Sequence, residues 1–156
     1  MAEFQLGSIS TGTLRPEDLL KAFTITLHSM ESDAHYKKYD TQTLVPFRWS
    51  ALLEDATNMV DEKTEWDDYM LDELLPDALQ EYCPPFVYFG TLPGDGADFG
   101  FWPDMESLDY ERNYWGEETA EWNEEHLVNH DLLVHISDHG NVTVMDLDRN
   151  VLWSVV

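Results

Sequence analysis

The segment LLVHISDHGNVTVMDLDRNVLWSVV, residues 132–156, decides the fold class that the sequence predicts. It holds three apolar runs rich in β-branched residues. The spacers around Gly140 and Asn150 supply the Asp, Gly and Asn residues that tight turns favour. Such runs are typical of antiparallel strands, so a β-meander is predicted over 132–136, 142–146 and 151–156.

Two aromatic runs upstream, Phe86–Phe89 and Asp98–Trp102, also have the composition of strands. The residues between them, 90–96, are rich in Gly and Pro and indicate a turn. These runs predict a hairpin with a mobile or binding-competent loop. Together with the meander they predict an antiparallel sheet of about five strands.

Apolar side chains recur at helical spacing near the N-terminus. Pro16 suits the first turn of a helix, and the apolar positions behind it share one helical face. A helix is therefore predicted over residues 16–30, followed by a connection over 31–47. The apolar positions are Leu20, Phe23, Leu27 and Met30.

Further helices are predicted in the middle of the chain. One begins near Arg48, and another follows an N-cap at Thr64, with Pro76 ending or restarting it. A last short helix is predicted over 117–128. Helices first and strands mostly last are the α+β pattern, so residues 1–156 are predicted to be a single domain with N-terminal helices packed on the antiparallel sheet.

The negative charge is concentrated in one block. Residues 54–125 hold 22 of the 32 acidic residues and two basic ones, a net charge of −20. Residues 1–53 carry six acids against five bases, and residues 126–156 carry four acids against Arg149. Adaptation to high salt would spread the acids over the whole chain, so this concentration favours a basic partner over salt adaptation. A solvated acidic face is the simplest alternative.

Composition also indicates whether the chain folds and in which compartment it is expected. With 43% hydrophobic and 13% aromatic residues, the chain is predicted to fold rather than to be a disordered polyanion. A lone cysteine, Cys83, favours a reducing compartment, and neither a secretory leader nor a membrane span is predicted. We expect a soluble cytoplasmic protein that binds neither nucleic acid directly nor anionic membranes.

The charge is sufficient to imitate nucleic acid. Duplex DNA carries about one charge per 1.7 Å of its axis, so 20 charges correspond to roughly 34 Å of duplex. A compact chain of this length has a diameter of about 40 Å. The sequence therefore predicts an acidic inhibitor that occupies the nucleic-acid-binding surface of a basic protein or complex.

At the level of charge composition, the chain resembles the acidic DNA-mimic inhibitors of phages, including antirestriction and anti-CRISPR proteins. Three short stretches, Gly12–Leu19, Pro93–Trp102 and Ser137–Val144, are similar to short uncharacterised proteins of phages and plasmids. The resemblance implies a protein of a phage or other mobile element. Such a protein blocks a defence complex or a nuclease in the host cytoplasm.

The predicted contacts with the partner are carboxylates together with aromatic anchors, because exposed ion pairs contribute little individually. The anchors are Trp66, Tyr69, Tyr110 and Trp115. The carboxylates are Glu54, Asp55, Asp61, Glu62, Glu65, Asp67, Asp68, Asp72, Glu73, Asp77, Asp104, Glu106, Asp109, Glu111, Glu117, Glu118, Glu121, Glu124 and Glu125.

Two other functional classes stay open at this point. An immunity protein or chaperone for a cognate basic toxin would also bind a basic surface through its acidic residues, but it would be specific for a single partner. A sugar-binding or hydrolytic domain is less favoured, because the chain has no G-x-S-x-G motif and a carboxylate pair needs a cleft to act. No enzymatic activity and no cofactor are predicted.

The sequence offers two weak metal motifs. His126 and His130 are four residues apart, as on one side of a helix, but the Glu of the His-Glu-x-x-His signature is missing. Gly94–Asp98 lacks the ligand pattern of a calcium loop and is interpreted as a hairpin turn. No metal site is predicted.

Overall fold

The structure is a computed structural model that describes residues 3–38, 47–62, 67–115, 125–128 and 131–156. The chain divides into two compact units, which we call the helical unit and the meander unit. The helical unit comprises Ser8–Cys83 and Phe89–Gly100, and the meander unit comprises Met1–Gly7, Pro84–Tyr88 and Phe101–Val156. Compact units also occur within single domains, so the single domain stays a prediction.

The helical unit is built on a long first helix. Helix α1 spans Pro16–Lys38, α2 spans Ser50–Glu62, a π-helical turn spans Met70–Leu74, and α3 spans Leu75–Gln80. Helix α1 packs against the other three elements. The residues that form this core are almost completely buried, as the 3.6-residue spacing of α1 predicts. They include Leu20, Phe23, Leu27, Leu75 and Leu79.

Helix α1 is longer than predicted, because residues 31–38 are helical rather than a connection. Two tertiary contacts hold this extension. The Glu31 carboxylate accepts a hydrogen bond from the Trp49 backbone N–H, and the His35 ring lies 4.7 Å from the Phe47 ring. The remaining part of the predicted connection, 39–46, lies outside the described residues.

A three-stranded sheet follows the order β1-β3-β2, with β1 Gly7–Ser10, β2 Val87–Leu92 and β3 Asp95–Pro103. The predicted hairpin is confirmed, but its strands are longer and the connection is only Pro93–Gly94. Gly94 has φ +89°, which suits the third position of a type II turn that has proline at its second position. The predicted long loop is therefore wrong.

The meander unit contains helix α4, Met105–Trp115, and a second sheet. Its strands are β4 Glu125–Val128, β5 Leu132–Ile136, β6 Val142–Asp146 and β7 Val151–Val155, all antiparallel in that order. The predicted C-terminal meander is confirmed. Its inner residues are buried, and these include Val134, Ile136, Val142, Val144 and Trp153.

Side-chain and backbone contacts secure the last strand. The Trp153 indole N–H donates to the Pro85 carbonyl oxygen at 2.7 Å. The Phe4 backbone N–H donates to the Leu152 carbonyl oxygen at 2.8 Å, so the N-terminal segment lies along the outer side of β7. An edge strand covered in this way has fewer free backbone groups to pair with other chains.

The α+β class is confirmed, but three finer predictions are wrong. The strands form two sheets rather than one sheet of about five strands. Residues 125–128, predicted to be helical, form β4 and pair with β5. Residues 105–115, for which the sequence predicts no element, form α4, because Asp104 caps its first turn and Leu108 is buried.

None of the helices in the described ranges is both long and apolar enough to cross a membrane.

Candidate functional site

The acidic residues of α2, the π-helical turn and α3 form the candidate site in the helical unit. Every one of these side chains is exposed. Within the described ranges, no cationic side chain lies within 4.0 Å of any of them, so their charge is not neutralised by those residues. We call this set the acidic helical surface. It consists of Glu54, Asp55, Asp61, Glu62, Asp67, Asp68, Asp72, Glu73 and Asp77.

Helix α2 carries four of these carboxylates on the side opposite its buried residues. Glu54 and Asp61 are two helical turns apart, as are Asp55 and Glu62, while Leu53 and Ala56 are buried. The four charges span about 12 Å at about 1.5 Å of rise per residue. The charges form two adjacent pairs whose centres are about 10 Å apart along the axis. Their average density, one charge per about 3 to 4 Å, is comparable to the roughly 3.4 Å per charge of a single DNA strand.

The π-helical turn and α3 carry the next part of the surface. The apolar side chains of this stretch face the core, so the acidic ones are held outward by a rigid backbone. The Leu75 N–H donates to the Met70 carbonyl oxygen, five residues back, which is the hydrogen bond of a π-helix. This wider turn directly precedes Pro76, whose ring would crowd the carbonyl oxygen four residues earlier in a regular α-helix. The buried positions are Met70, Leu71, Leu75, Ala78 and Leu79.

Acidic residues are stabilising at one helix end of this surface and destabilising at another. Asp67 begins the helical stretch favourably, because its Oδ1 accepts the Tyr69 N–H at 3.0 Å. Asp61 and Glu62, in contrast, lie in the last turn of α2, which has no basic residue. A carboxylate there faces the negative end of the helix dipole, which is unfavourable. The surface thus keeps acids at a position that helix stability disfavours.

One predicted aromatic anchor lies on the surface. Tyr69 is 60% exposed, directly after Asp68 and three residues before Asp72. A ring exposed to this degree can be buried by a partner. The other predicted anchor of this stretch, Trp66, and the carboxylate Glu65 lie outside the described residues.

An exposed ion pair joins Arg48 and Glu81 in the helical unit, which also contains the ion pairs of Arg15 with Glu17 and Asp18. Arg48 Nη2 is 2.6 Å from Glu81 Oε2, and its guanidinium lies 4.9 Å from the centre of the Trp49 ring. Glu81 is an exposed acid directly after α3. Glu81 is thus paired with a cation, unlike the carboxylates of the acidic helical surface in the described ranges.

The second predicted acidic set belongs to the meander unit, around α4. Asp104 caps this helix: its Oδ1 accepts the Ser107 N–H at 3.0 Å and its Oδ2 accepts the Ser107 hydroxyl at 2.7 Å. These bonds stabilise the ionised form and hold the pKa of Asp104 below its ordinary value. Glu106 and Asp109 are exposed, as is 66% of Tyr110, whereas Glu111 is half-buried.

Four of the predicted carboxylates, Glu117, Glu118, Glu121 and Glu124, lie outside the described residues. Glu125 and Trp115 belong to β4 and α4, but nothing is described of their side chains.

The two sets are distributed over two units with equal charge. The helical unit has 18 acids against six bases, and the meander unit has 14 against two, so each carries −12. The structure places the described contacts predicted from Glu54 to Asp77 within the helical unit, on elements that each pack against α1. It places Asp104, Glu106, Asp109 and Glu111 in the meander unit.

The histidine motif does not have the predicted geometry. His126 is in strand β4 rather than on a helix, and His130 lies outside the described residues. His135 is half-buried in β5, and His139 is exposed in the following turn. No group of three or more His, Cys, Asp or Glu side chains suited to a metal ion occurs in the described ranges.

Glu31 also contributes to the start of α2, although it is not among the residues predicted from the sequence. This carboxylate is only 3% exposed and accepts the Trp49 N–H at the start of α2. The signal was present, since Glu31 follows Leu27 by four residues and so shares the buried face of α1. The predicted position, Met30, is only half-buried.

Comparison with known proteins gives no assignment, since no family model, curated protein or solved structure matches the chain.

Proposed function

We propose that the chain is a cytoplasmic inhibitor that binds a basic nucleic-acid-binding protein through its acidic helical surface and competes with DNA or RNA for that protein. The partner fits the description of a defence complex or nuclease, and the chain that of a phage or mobile-element product. No catalytic step and no cofactor are part of this proposal.

The observation that carries the proposal is the rigid, unneutralised row of carboxylates on α2. Glu54, Asp55, Asp61 and Glu62 are all exposed, and their average charge density along the helix axis is comparable to that of one nucleic-acid strand. The acids in the last turn of α2 oppose the helix dipole. Features that break a local stability rule are expected at functional sites, and this one supports a contact role.

In the proposed mechanism, Lys and Arg side chains that normally hold phosphates pair with these carboxylates. Binding releases the counterions of both surfaces, as it does for DNA, and the long-range field accelerates encounter. Tyr69 supplies the apolar contact that exposed ion pairs lack, because it buries an aromatic ring against the partner.

The test is capture of host-lysate proteins on the immobilised chain, followed by elution with duplex DNA. We expect basic nucleic-acid-binding proteins to be captured at 50 mM salt, to be displaced by DNA, and to be lost by more than about tenfold at 200 mM salt. If duplex DNA does not displace the captured proteins, the proposal is wrong. Capture of one basic toxin without nucleic-acid-binding activity would instead favour an immunity protein.

Two variants of equal charge make the test specific. The first neutralises the α2 row with Glu54→Gln, Asp55→Asn, Asp61→Asn and Glu62→Gln. The second removes the same charge from four exposed acids elsewhere, by replacing Asp33, Asp131, Asp138 and Asp148 with Asn. The α2 variant should lose capture and the second should keep it. Equal loss in both would show that only net charge matters.

A further inference from the structure

Helix α2 is capped by a residue of another helix. The Leu53 N–H donates to the Trp49 carbonyl oxygen at 2.8 Å, which makes Trp49 the N-cap residue of α2. A tryptophan side chain has no oxygen to accept the N–H groups of the first turn. The N–H of Trp49 itself donates to Oε1 of Glu31, in α1, at 2.5 Å. The start of α2 is therefore held by a tertiary hydrogen bond.

This hydrogen bond corresponds to one half of a capping box. In a capping box, a Glu or Gln at the third helical position accepts the backbone N–H of the N-cap residue. The third residue of α2 is Leu52, and the first turn contains no acidic residue. Glu31, 18 residues before Trp49, takes this role and places a negative charge at the positive end of the α2 dipole. A local capping box fixes only its own helix, whereas this bond fixes α2 relative to α1.

A second contact, one turn further along α1, holds the chain that enters α2. His35 follows Glu31 by four residues and so lies on the same side of α1. Its ring centre is 4.7 Å from that of Phe47, two residues before Trp49. Glu31 is only 3% exposed, so the surrounding atoms restrict its rotamers and fix the accepting oxygen. Two successive turns of α1 thus set the point at which α2 begins.

The start of α2 determines where its carboxylates lie. Asp61 and Glu62 are about 18 to 20 Å from Trp49 along the helix axis, at about 1.5 Å of rise per residue. A tilt of about 10° at the N-cap would displace these two acids by about 3 Å. An ion pair needs its nitrogen and oxygen within about 4 Å, so a displacement of this size is sufficient to break one.

We propose that Glu31 is a positioning residue for the four-carboxylate row of α2. By accepting the Trp49 N–H, it sets the direction in which α2 presents that row to the partner. Its effect on binding rests on the proposed function, whereas its effect on the direction of α2 is a property of the free chain. The two effects are therefore measured separately.

Glu31→Ala and Glu31→Gln form a matched pair for the free chain. Both remove the same charge, but only Gln keeps a side-chain oxygen that accepts the Trp49 N–H. Residual dipolar couplings of backbone amides measure the angle between α1 and α2. The angle should change in Glu31→Ala and keep its wild-type value in Glu31→Gln. An unchanged angle in Glu31→Ala, or an equal change in both variants, would overturn the positioning role.

The same pair tests the effect on binding, with the partner that DNA displaces. Glu31→Ala should bind at least about fivefold more weakly than Glu31→Gln, the effect of losing one capping hydrogen bond. Equal affinities of the two variants would contradict the role in binding. If the wild type captures no partner that DNA displaces, the proposed function fails, and the dipolar couplings still decide whether Glu31 orients α2.

A stability control separates orientation from a general loss of folding. Leu20→Val removes a methylene group from a side chain that is only 1% exposed, about 16 Å before Glu31 along α1. This variant should lower the urea midpoint and keep the wild-type affinity under conditions in which all variants are folded. If affinity falls in Leu20→Val as much as in Glu31→Ala, binding follows stability and Glu31 has no positioning role.

Discussion

Asp104 shows how one acidic side chain can serve structure rather than binding. It is half-buried, and both of its carboxylate oxygens accept hydrogen bonds from Ser107 at the start of α4. Glu106, two residues later, is exposed and belongs to the first turn of α4. At the residue scale, an acid in a charged block can therefore have a purely local task.

Replacing Asp104 with Ala is expected to destabilise the protein by about 1 kcal/mol, the usual contribution of an N-cap. The measurement is the urea-unfolding free energy, monitored by the fluorescence of the chain. Asp104→Ser keeps a capping oxygen and should recover most of the loss. An unchanged free energy in the Ala variant would show that the two Ser107 bonds contribute nothing.

The contribution of the Asp104 cap to stability also depends on pH. Because the pKa of Asp104 is lowered in the folded state, its contribution is fully present above the unfolded value of about 3.9 and is lost as pH falls through the lower folded value. The stability difference between the wild type and Asp104→Ala should therefore shrink below about pH 4. A difference that stays constant to pH 2 would contradict the capping role of the ionised carboxylate.

Cys83 is expected to be unreactive in the folded protein. Burial raises the pKa of its thiol to about 12, so at pH 8 the thiolate fraction is roughly a thousandfold below that of an ordinary cysteine. Alkylation by iodoacetamide, followed by mass spectrometry, should be slow in buffer and fast in urea. Similar rates in the two conditions would show that the thiol is accessible in the native state.

Helix α2 is the element on which stability and binding oppose each other. Asp61→Asn with Glu62→Gln removes two negative charges from the negative end of the helix dipole. We expect this double variant to gain up to about 1 kcal/mol of stability at low ionic strength, and to lose partner affinity. Urea unfolding and a binding titration measure the two effects. A variant that loses stability would contradict the electrostatic account of this helix end.

The π-helical turn sets the direction of the acids that precede Pro76. With Pro76→Ala, the missing N–H is restored and a regular α-helix becomes available. If the π-helical turn became a regular α-helical turn, Asp72 and Glu73 would rotate by roughly 100° relative to α3. The expected result is weaker partner binding with an intact fold, measured by binding titration and circular dichroism. Full binding by the variant would mean that these two acids are not contacts.

Elements with strong local signals were predicted from sequence, and elements fixed by tertiary contacts were not. The meander strands carry both β-branched runs and turn residues, so their register follows from local chemistry. Helix α4 has weak periodicity, and it depends on the Asp104 cap and the burial of Leu108. The extension of α1 depends on Trp49 and Phe47, which are distant in sequence.

For the molecule as a whole, net charge has opposite effects on folding and on binding. Each unit carries −12, so repulsion within the chain opposes compaction. Raising the salt from 20 to 500 mM screens this repulsion, and we expect the urea midpoint to rise while capture of the partner falls. Unfolding curves at both salts measure the first effect. A midpoint that falls with salt would indicate that attractive ion pairs dominate the folded state.

The distribution of charge between units could not be read from the sequence. A block from 54 to 125 is contiguous along the chain, but the hairpin at Pro93–Gly94 separates a set on the helices before Cys83 from a set around α4. Sequence counts supply the number of charges. Tertiary structure determines which acids are exposed, which cap a helix and which form ion pairs. Asp68, Asp104 and Glu81 are examples of these three cases.

The most direct test of the central claim is the salt dependence of affinity for the captured partner, compared among the wild type, the α2 row variant and the matched variant at positions 33, 131, 138 and 148. If the α2 carboxylates replace phosphates, the slope of log affinity against log salt becomes shallower in the α2 variant and stays near the wild-type slope in the matched variant. Equal slopes in all three proteins would contradict the claim that this surface imitates nucleic acid.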